Sequence, residues 1–374
     1  MTAAEAAILL NMIPEIGPMR FKYLKNHFEK LDDIFSAAAR ELQAVNEISE
    51  NLARTILSFG NEKAKVEKEL ILAKEHSVSI VTIEDLLYPA FLKSMNDPPP
   101  VLYCKGELSC LSDPSVSLVG TRRPTFYGER IAAQLARELV ESEMITVSGL
   151  ARGIDTIVHK STILAKGKTV AILGAGLLKL YPPENKKLAQ SIVENGLLVS
   201  EFPLQFPPEP GHFPRRNRII AGLSLGTVVI EADEKSGALI TAQFAAEQGK
   251  DVFAVPGPVT SKMSRGPHKL LRQGAKLVES SLDILEELEP LRQRFFPHFK
   301  KIELKKGATQ KQETAVSLSS QEQQLLKFID IEPVHIDMLS SKTNFSSGEL
   351  SSALLNLEMK GTVKALAGKM YVRN

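Results

Sequence analysis

The sequence predicts an α/β fold: a doubly wound, mostly parallel sheet with helical sequence on either side of it. Three observations carry this. From residue 78 to 288, short β-branched runs alternate with amphipathic helical segments, which implies right-handed βαβ units. Glycines fall in the turns after those runs, at Gly120, Gly149, Gly153, Gly174, Gly176 and Gly237. In such sheets ligands bind beyond the carboxyl ends of the strands, which is where these glycines lie. Residues 1–77 carry only helical periodicity, and residues 317–374 carry helices followed by a short hairpin pattern.

Length and composition bound the rest. A chain of 374 residues is too long for one ordinary core. It divides into a helical segment (1–77), the α/β segment (78–289), a linker (290–316) and a second small module (317–374). Hydrophobic residues make up 43% and charged residues 24%, as in an ordinary globular protein. A net charge of +2 gives a weak overall field, so any nucleic-acid site must be a local patch. Two cysteines, Cys104 and Cys110, are too few for a metal centre and fit a reducing compartment. No run of 18 apolar residues exists and no basic stretch precedes the first apolar one, so a cytoplasmic protein without a membrane span is expected.

Taken in order, helical spacing recurs over 3–13, 18–28, 31–38 and 52–59, and Glu/Lys pairs fill 61–75. The turn Ile13-Pro14-Glu15-Ile16-Gly17-Pro18 resembles the hairpin of helix-hairpin-helix DNA-binding modules, and equally fits a plain αα-hairpin. Strands are expected at 78–83, 116–119, 145–148, 169–173, 198–200, 227–231 and 252–255. Helices fit 128–142, 153–165, 186–195, 216–223, 237–248 and 267–273. In 290–316, seven basic residues stand against two acidic ones without periodicity, which reads as a linker. Beyond it, Ser320 with Gln323 and Ser346 with Glu349 have capping-box spacing. Leu350, Leu354 and Leu357 stripe one helical face, and two short strands flank Gly368. Helices followed by a hairpin suggest a winged helix.

Four segments carry candidate chemistry. The stretch GHFPRRNRIIAGL (211–223) gathers Arg215, Arg216, Asn217 and Arg218 behind Pro214, at an expected helix start. Helix N-termini favour anions, and a guanidinium can donate two parallel bonds to a phosphate. In VGTRRPTFYG (119–128), Gly120 lets backbone approach a ligand, Thr121 offers a hydroxyl, and Arg122 and Arg123 can pair with phosphate. Phe126 and Tyr127 either stack on bases or fill the core beneath the loop. SGLARGID (148–155) holds Gly149, Arg152 and Gly153 at another strand-to-helix turn. Its Asp155 is either a helix-end carboxylate or, with Glu201 or Glu231, a metal ligand or base. Finally, Lys235, Ser236 and Gly237 open the next helix. The spacing of Gly237 to Thr241 resembles the P-G-G-x-G-T-x-x-E motif of nucleotide-cleaving enzymes of the lysine-decarboxylase-like group. Phe244 stands where that motif has its catalytic Glu, so the hydrolytic reading lacks its acid/base.

Together these blocks, with AILGAG, YPPEN, SEFP, EADEKSGALITAQFA, DVFAVPGP and LLRQGAKLV in order, resemble the DNA-processing protein A (DprA/Smf) family. The run Gly266-Pro267-His268-Lys269 departs from the small polar run found there in many members. The resemblance implies an extended Rossmann-like sheet that dimerises, binds single-stranded DNA in a basic pocket and hands it to the RecA recombinase in natural transformation. Arg122, Arg216, Asn217 and Arg218 carry over as its motif residues. No catalytic residue, metal or cofactor carries over, so a non-enzymatic protein is expected, with a nucleoside-monophosphate hydrolase as the alternative. A duplex-DNA regulator acting through the tail is disfavoured, because residues 346–360 hold one basic residue against two acidic ones.

Overall fold

The computed structural model describes residues 1–299, 318–329, 333–343 and 345–373. The chain forms two compact units, residues 1–303 and 304–374.

The first unit begins with five helices: α1 (Ala3–Asn11), α2 (Pro18–His27), α3 (Ala39–Gln43), α4 (Glu50–Phe59) and α5 (Lys63–Glu75). Thr2 and Glu5 close a reciprocal capping box on α1, and Pro18 opens α2 at a position where its missing N–H is not needed. The helix expected over 31–38 does not form. Leu31 and Ile34 are buried through a single 3-10 turn at Asp33–Phe35, and α3 starts only at Ala39.

The sheet follows. Its strands are β1 (Ser79–Thr82), β2 (Val101–Gly106), β3 (Ser115–Val119), β4 (Ile145–Ser148), β5 (Thr169–Leu173), β6 (Gly196–Ser200), β7 (Gly226–Val229), β8 (Asp251–Ala254) and β9 (Lys276–Leu277). The order is β1-β2-β6-β5-β4-β3-β7-β8-β9. From β6 to β9 every pairing is parallel, whereas β1–β2 and β2–β6 are antiparallel, so one edge is mixed. Strands β3 to β7 are buried along their whole length, which is why they read as unbroken apolar and small-residue runs. Helices α6 (Ala90–Lys93), α7 (Phe126–Glu141), α8 (Ile154–Leu164), α9 (Lys186–Glu194), α10 (His212–Leu223), α11 (Gly237–Glu247) and α12 (Arg265–Arg272) connect the strands. Helix α7 packs on α8 and α8 on α9, while α10 packs on α11. With right-handed crossovers these two groups cover opposite faces.

Strand β3 has β4 on one side and β7 on the other. The chain therefore winds away from β3 in both directions, and the loops after β3 and β7 diverge to open a crevice. Strands β2 and β9 and helix α13 (Ser281–Phe295) add to the expected elements. Helix α13 runs through residue 290, where the sequence suggests that a linker begins, and Phe296 behind it is buried. Residues 300–316 of that linker lie outside the described residues. Residues 1–77 and the sheet share one continuous buried core, in which Leu9, Leu10 and Leu24 join Val101, Tyr103 and Leu197.

The second unit holds α14 (Ser320–Leu326), β10 (Val334–His335), α15 (Ile336–Thr343), α16 (Ser347–Met359), β11 (Val363–Leu366) and β12 (Met370–Arg373), with strand order β10-β12-β11. This is the winged helix that the helix-then-hairpin pattern suggests. The first capping box lies one residue earlier than expected, at Ser319 and Glu322, and the second is at Ser346 and Glu349. Leu350, Leu354 and Leu357 all face its core. No helix among the described residues is long and apolar enough to cross a membrane.

Candidate nucleic-acid interface

A cleft of about 650 Å3 opens at the reversal point, between the loop after β3 and the starts of α10 and α11. Gly120, Thr121, Arg122 and Arg123 form one wall. Thr121 is anchored by its N–H, which donates to the Glu231 carbonyl at 2.7 Å, and by its carbonyl, which accepts from Ile154 N–H at 3.2 Å. Arg122 and Arg123 are exposed, and neither joins an ion pair among the described residues. The Arg122 guanidinium lies 5.9 Å from the centre of the Phe213 ring, within cation–π range. Opposite, Lys235, Ser236 and Gly237 line the start of α11. Lys235 is also exposed and outside any described ion pair, and the Ser236 hydroxyl caps the helix by accepting from Ala238 N–H at 3.3 Å.

The third wall is one face of α10. Phe213, Arg216, Asn217 and Ile220 recur at three- and four-residue spacing and point into the cleft. Arg216 is buried, at 4% exposure. Its Nη1 donates to the Gly149 carbonyl at 2.6 Å and to the Ile172 carbonyl, and its Nε donates to Asn217 Oδ1 at 3.2 Å. Desolvation pulls its pKa down to about 10, a shift that Asp155 opposes and Arg122 reinforces. Asn217 in turn donates to the Gly237 carbonyl at 3.2 Å, tying α10 to the start of α11. A Cβ at Gly149 would lie 2.4 Å from Arg216 Nη2, so a side chain there would push the guanidinium off the carbonyls it holds. Gly153, at φ +73°, brings its turn against Thr121, whose carbonyl a Cβ would approach to 2.3 Å.

Two of the four polar residues of the RRNR run turn elsewhere. Arg218 is 2% exposed and does not line the cleft. Its Nε donates to Asp97 Oδ2 and its Nη2 to Glu201 Oε2, both at 2.8 Å. Arg215 reaches the same Glu201 from 3.3 Å and lies over the Phe202 ring. The expectation that Arg218 presents an open guanidinium to phosphate is corrected: two carboxylates hold it, one of them fully buried. Arg152 stands at the cleft edge in an exposed ion pair with Glu184, beside a small hollow bounded by Arg122, Tyr181, Phe213 and Arg216.

The aromatic wall also differs from the sequence expectation. Neither Phe126 nor Tyr127 lines the cleft, and the Tyr127 hydroxyl donates to the Pro256 carbonyl at 2.7 Å. Phe213 and Tyr181, their rings 5.4 Å apart, line it instead. Tyr181 is carried by the loop after β5, where it opens the YPPEN block, to which the sequence assigns no stacking role.

The carboxylates near the cleft are all engaged. Asp155 accepts N–H bonds from Gly149 (3.1 Å) and Ala151 (3.2 Å), and burial pushes its pKa up. Glu231 accepts from Thr125 N–H at 2.8 Å and from its hydroxyl at 2.5 Å, at the start of α7. Asp233 is paired with Lys262 at 3.1 Å. Asp155, Glu201 and Glu231 do not converge, and no metal-binding group of His, Cys, Asp and Glu occurs among the described residues. Behind the Gly149 turn, His159 is fully buried. Its Nε2 accepts from Leu150 N–H at 3.3 Å, Thr169 Oγ1 lies 2.7 Å from Nδ1, and desolvation pulls its pKa down to about 3.

Known proteins resemble this chain in sequence and fold. The family described as DNA recombination-mediator protein A matches residues 79–289, the DprA winged helix domain matches 309–369, and a helix-hairpin-helix motif matches 9–68. The protein Smf of Synechocystis is 34% identical over 97% of both chains. The X-ray structure of DNA processing protein A from Streptococcus pneumoniae superposes with a TM-score of 0.68 at 34% identity, over 77% of this chain and 99% of that one. A second structure, from Helicobacter pylori, describes the single-stranded DNA binding mode of its DNA processing protein A. It matches with a TM-score of 0.52 at 33% identity, over 56% of this chain and 95% of that one. The first of these matches spans the sheet and every wall of the cleft, so the chain belongs to the DNA recombination-mediator protein A (DprA/Smf) family of DNA-processing proteins.

Proposed function

We propose that this chain binds single-stranded DNA in the cleft at the reversal point and, as a cytoplasmic homodimer, loads RecA recombinase onto it. One observation carries the DNA reading: Arg122, Arg123 and Lys235, cations outside any described ion pair, line the same cleft as the Phe213 and Tyr181 rings, with Arg122 over Phe213. Cations without internal carboxylates are available to phosphates, and ring faces stack on bases that are unpaired. Arg216 shapes the cleft from beneath, through the carbonyls it holds. The likeness to the Helicobacter pylori protein supports the same choice of strand. The role is non-enzymatic, because Asp155, Glu201 and Glu231 are each engaged in the fold and Phe244 occupies the motif position of an acid/base. Dimerisation through the sheet domain and RecA loading rest on family membership.

Titration of single-stranded against duplex oligonucleotides over a salt series tests the binding reading. About 0.7 log unit of affinity is lost per log unit of salt for each phosphate contact on a single strand, so three contacts give a slope near −2. A flat salt dependence, or equal affinity for duplex, overturns it. RecA strand exchange in the presence of single-strand-binding protein tests the loading role, and DNA binding without acceleration overturns that part alone.

A further inference from the structure

The loop from Glu201 to Phe206 is held on two sides. Toward the cleft, its backbone supports the segment that carries Tyr181: Gly176 N–H donates to the Phe206 carbonyl at 2.9 Å and Leu178 N–H to the Leu204 carbonyl at 3.0 Å. Its Glu201 side chain anchors α10, which carries Phe213, Arg216 and Asn217, through Arg215 and Arg218. Away from the cleft, the same loop is gripped by the N-terminal helices. Asn11, at the end of α1, donates its side-chain amide to the Glu201 carbonyl at 3.0 Å. Glu69 of α5, only 8% exposed, accepts from Leu204 N–H at 2.7 Å, and the fully buried Tyr103 hydroxyl lies next to both Asn11 and Glu69.

We infer that the helical head positions the cleft, with Asn11 and Glu69 as the positioning residues that fix the 201–206 loop and, through it, the Tyr181 and α10 walls. A buried carboxylate needs a reason to be retained, since desolvation disfavours it unless its bonds are good. Here the reason is a backbone N–H that has no strand or helix partner of its own. Releasing either contact removes one of the loop's two ties to the head, and both cleft walls then rest on a less firmly held support. Spacing of stacking rings and guanidinium donors to within a fraction of an ångström is what holds a site in binding geometry. This rests on the single-strand reading of the cleft, and the test separates the two.

Fluorescence anisotropy on the full chain, with labelled oligothymidine as probe, is run beside thermal melting. Asn11→Ala and Glu69→Ala are expected to weaken binding about three- to tenfold each, the size of one hydrogen bond, mainly through faster dissociation. Glu69→Gln keeps an acceptor for Leu204 N–H and is expected to stay within about twofold of wild type. Ile56→Val, buried on α4, a helix that packs on α3 and the Asp33–Phe35 turn, supplies a destabilised control whose affinity is expected to be unchanged. If Asn11→Ala and Glu69→Ala bind as wild type while Arg122→Ala does not, the head has no positioning role and the cleft reading stands. If Arg122→Ala also binds as wild type, the cleft reading itself fails. Equal weakening by Ile56→Val overturns the inference, because general loosening of the head would then explain the loss.

Discussion

Two sets of arginines that look alike in sequence behave in opposite ways. Arg122 and Arg123, in a loop, sit outside the described ion pairs and are open to solvent, whereas Arg215, Arg216 and Arg218, on α10, are committed to carboxylates and carbonyls. A loop at the carboxyl end of a strand has solvent on one side, so its long side chains have no interior partner. A helix that crosses the sheet has an interior on nearly every side, and a guanidinium there must be paired or folding would strand its charge. Arginine density therefore marks a basic site only when the element bearing it has an exposed face.

The largest consequence falls on Arg218. Arg218→Ala leaves Glu201 buried with only half-exposed Arg215 for company, and is expected to cost about 3–5 kcal/mol of stability. Chemical denaturation measures it. A variant as stable as wild type would mean that the buried ion pair is not holding α10.

Acid tests the same buried side. The neutral His159 ring suits its partners: Nε2 accepts from Leu150, which leaves the Nδ1 proton for Thr169. A proton on Nε2 would face that N–H directly. The pKa is depressed in the fold, from the ordinary 6.5 to about 3, so the unfolded chain takes up the proton first. The stabilisation is complete above pH 6.5 and is lost as pH falls toward 3, at up to about 1.4 kcal/mol per pH unit. His159→Gln should flatten that part of a stability-against-pH curve, and an unchanged slope would remove His159 as its source.

The open side responds differently. Arg122→Ala is expected to leave stability within about 0.5 kcal/mol. It should weaken single-strand binding by about five- to tenfold, and lower the salt slope by about 0.7. Melting and anisotropy on one preparation decide it, and a loss of stability equal to that of Arg218→Ala would erase the distinction between loop and helix.

Much of this was legible beforehand. Strands β3 to β8 announce themselves by short apolar, β-branched runs, of which β3, β4 and β5 end directly in glycine, and the loop residues Gly120 to Arg123 follow from their place after β3. Helical spacing even contains the division on α10, since Phe213, Arg216, Asn217 and Ile220 share one face and Arg215 and Arg218 another. What spacing cannot supply is the far partner. Glu201 and Asp97 reach Arg218 from distant parts of the chain, and the Tyr181 ring reaches Phe213 only through the loop after β5. Strand β2 was missed for a related reason: Pro98-Pro99-Pro100 precede it and its pairing with β6 is antiparallel in an otherwise parallel context.

Arg152 lies between the two classes, and its response is the smallest and most informative. It borders the cleft like Arg122, yet it carries a carboxylate like Arg218, and that carboxylate, Glu184, is about half exposed. Exposed pairs of this kind are worth about 0.2–1 kcal/mol, so a phosphate can displace Glu184 at little cost. Glu184→Gln removes the competitor, and single-strand affinity is expected to rise by about 1.5- to fivefold at low salt and to return to the wild-type value as salt screens the pair. In an Arg152→Ala background the same substitution should do nothing, because the competition no longer exists. If Glu184→Gln tightens binding equally with and without Arg152, the effect is a general change in surface charge, and Arg152 belongs with the committed arginines.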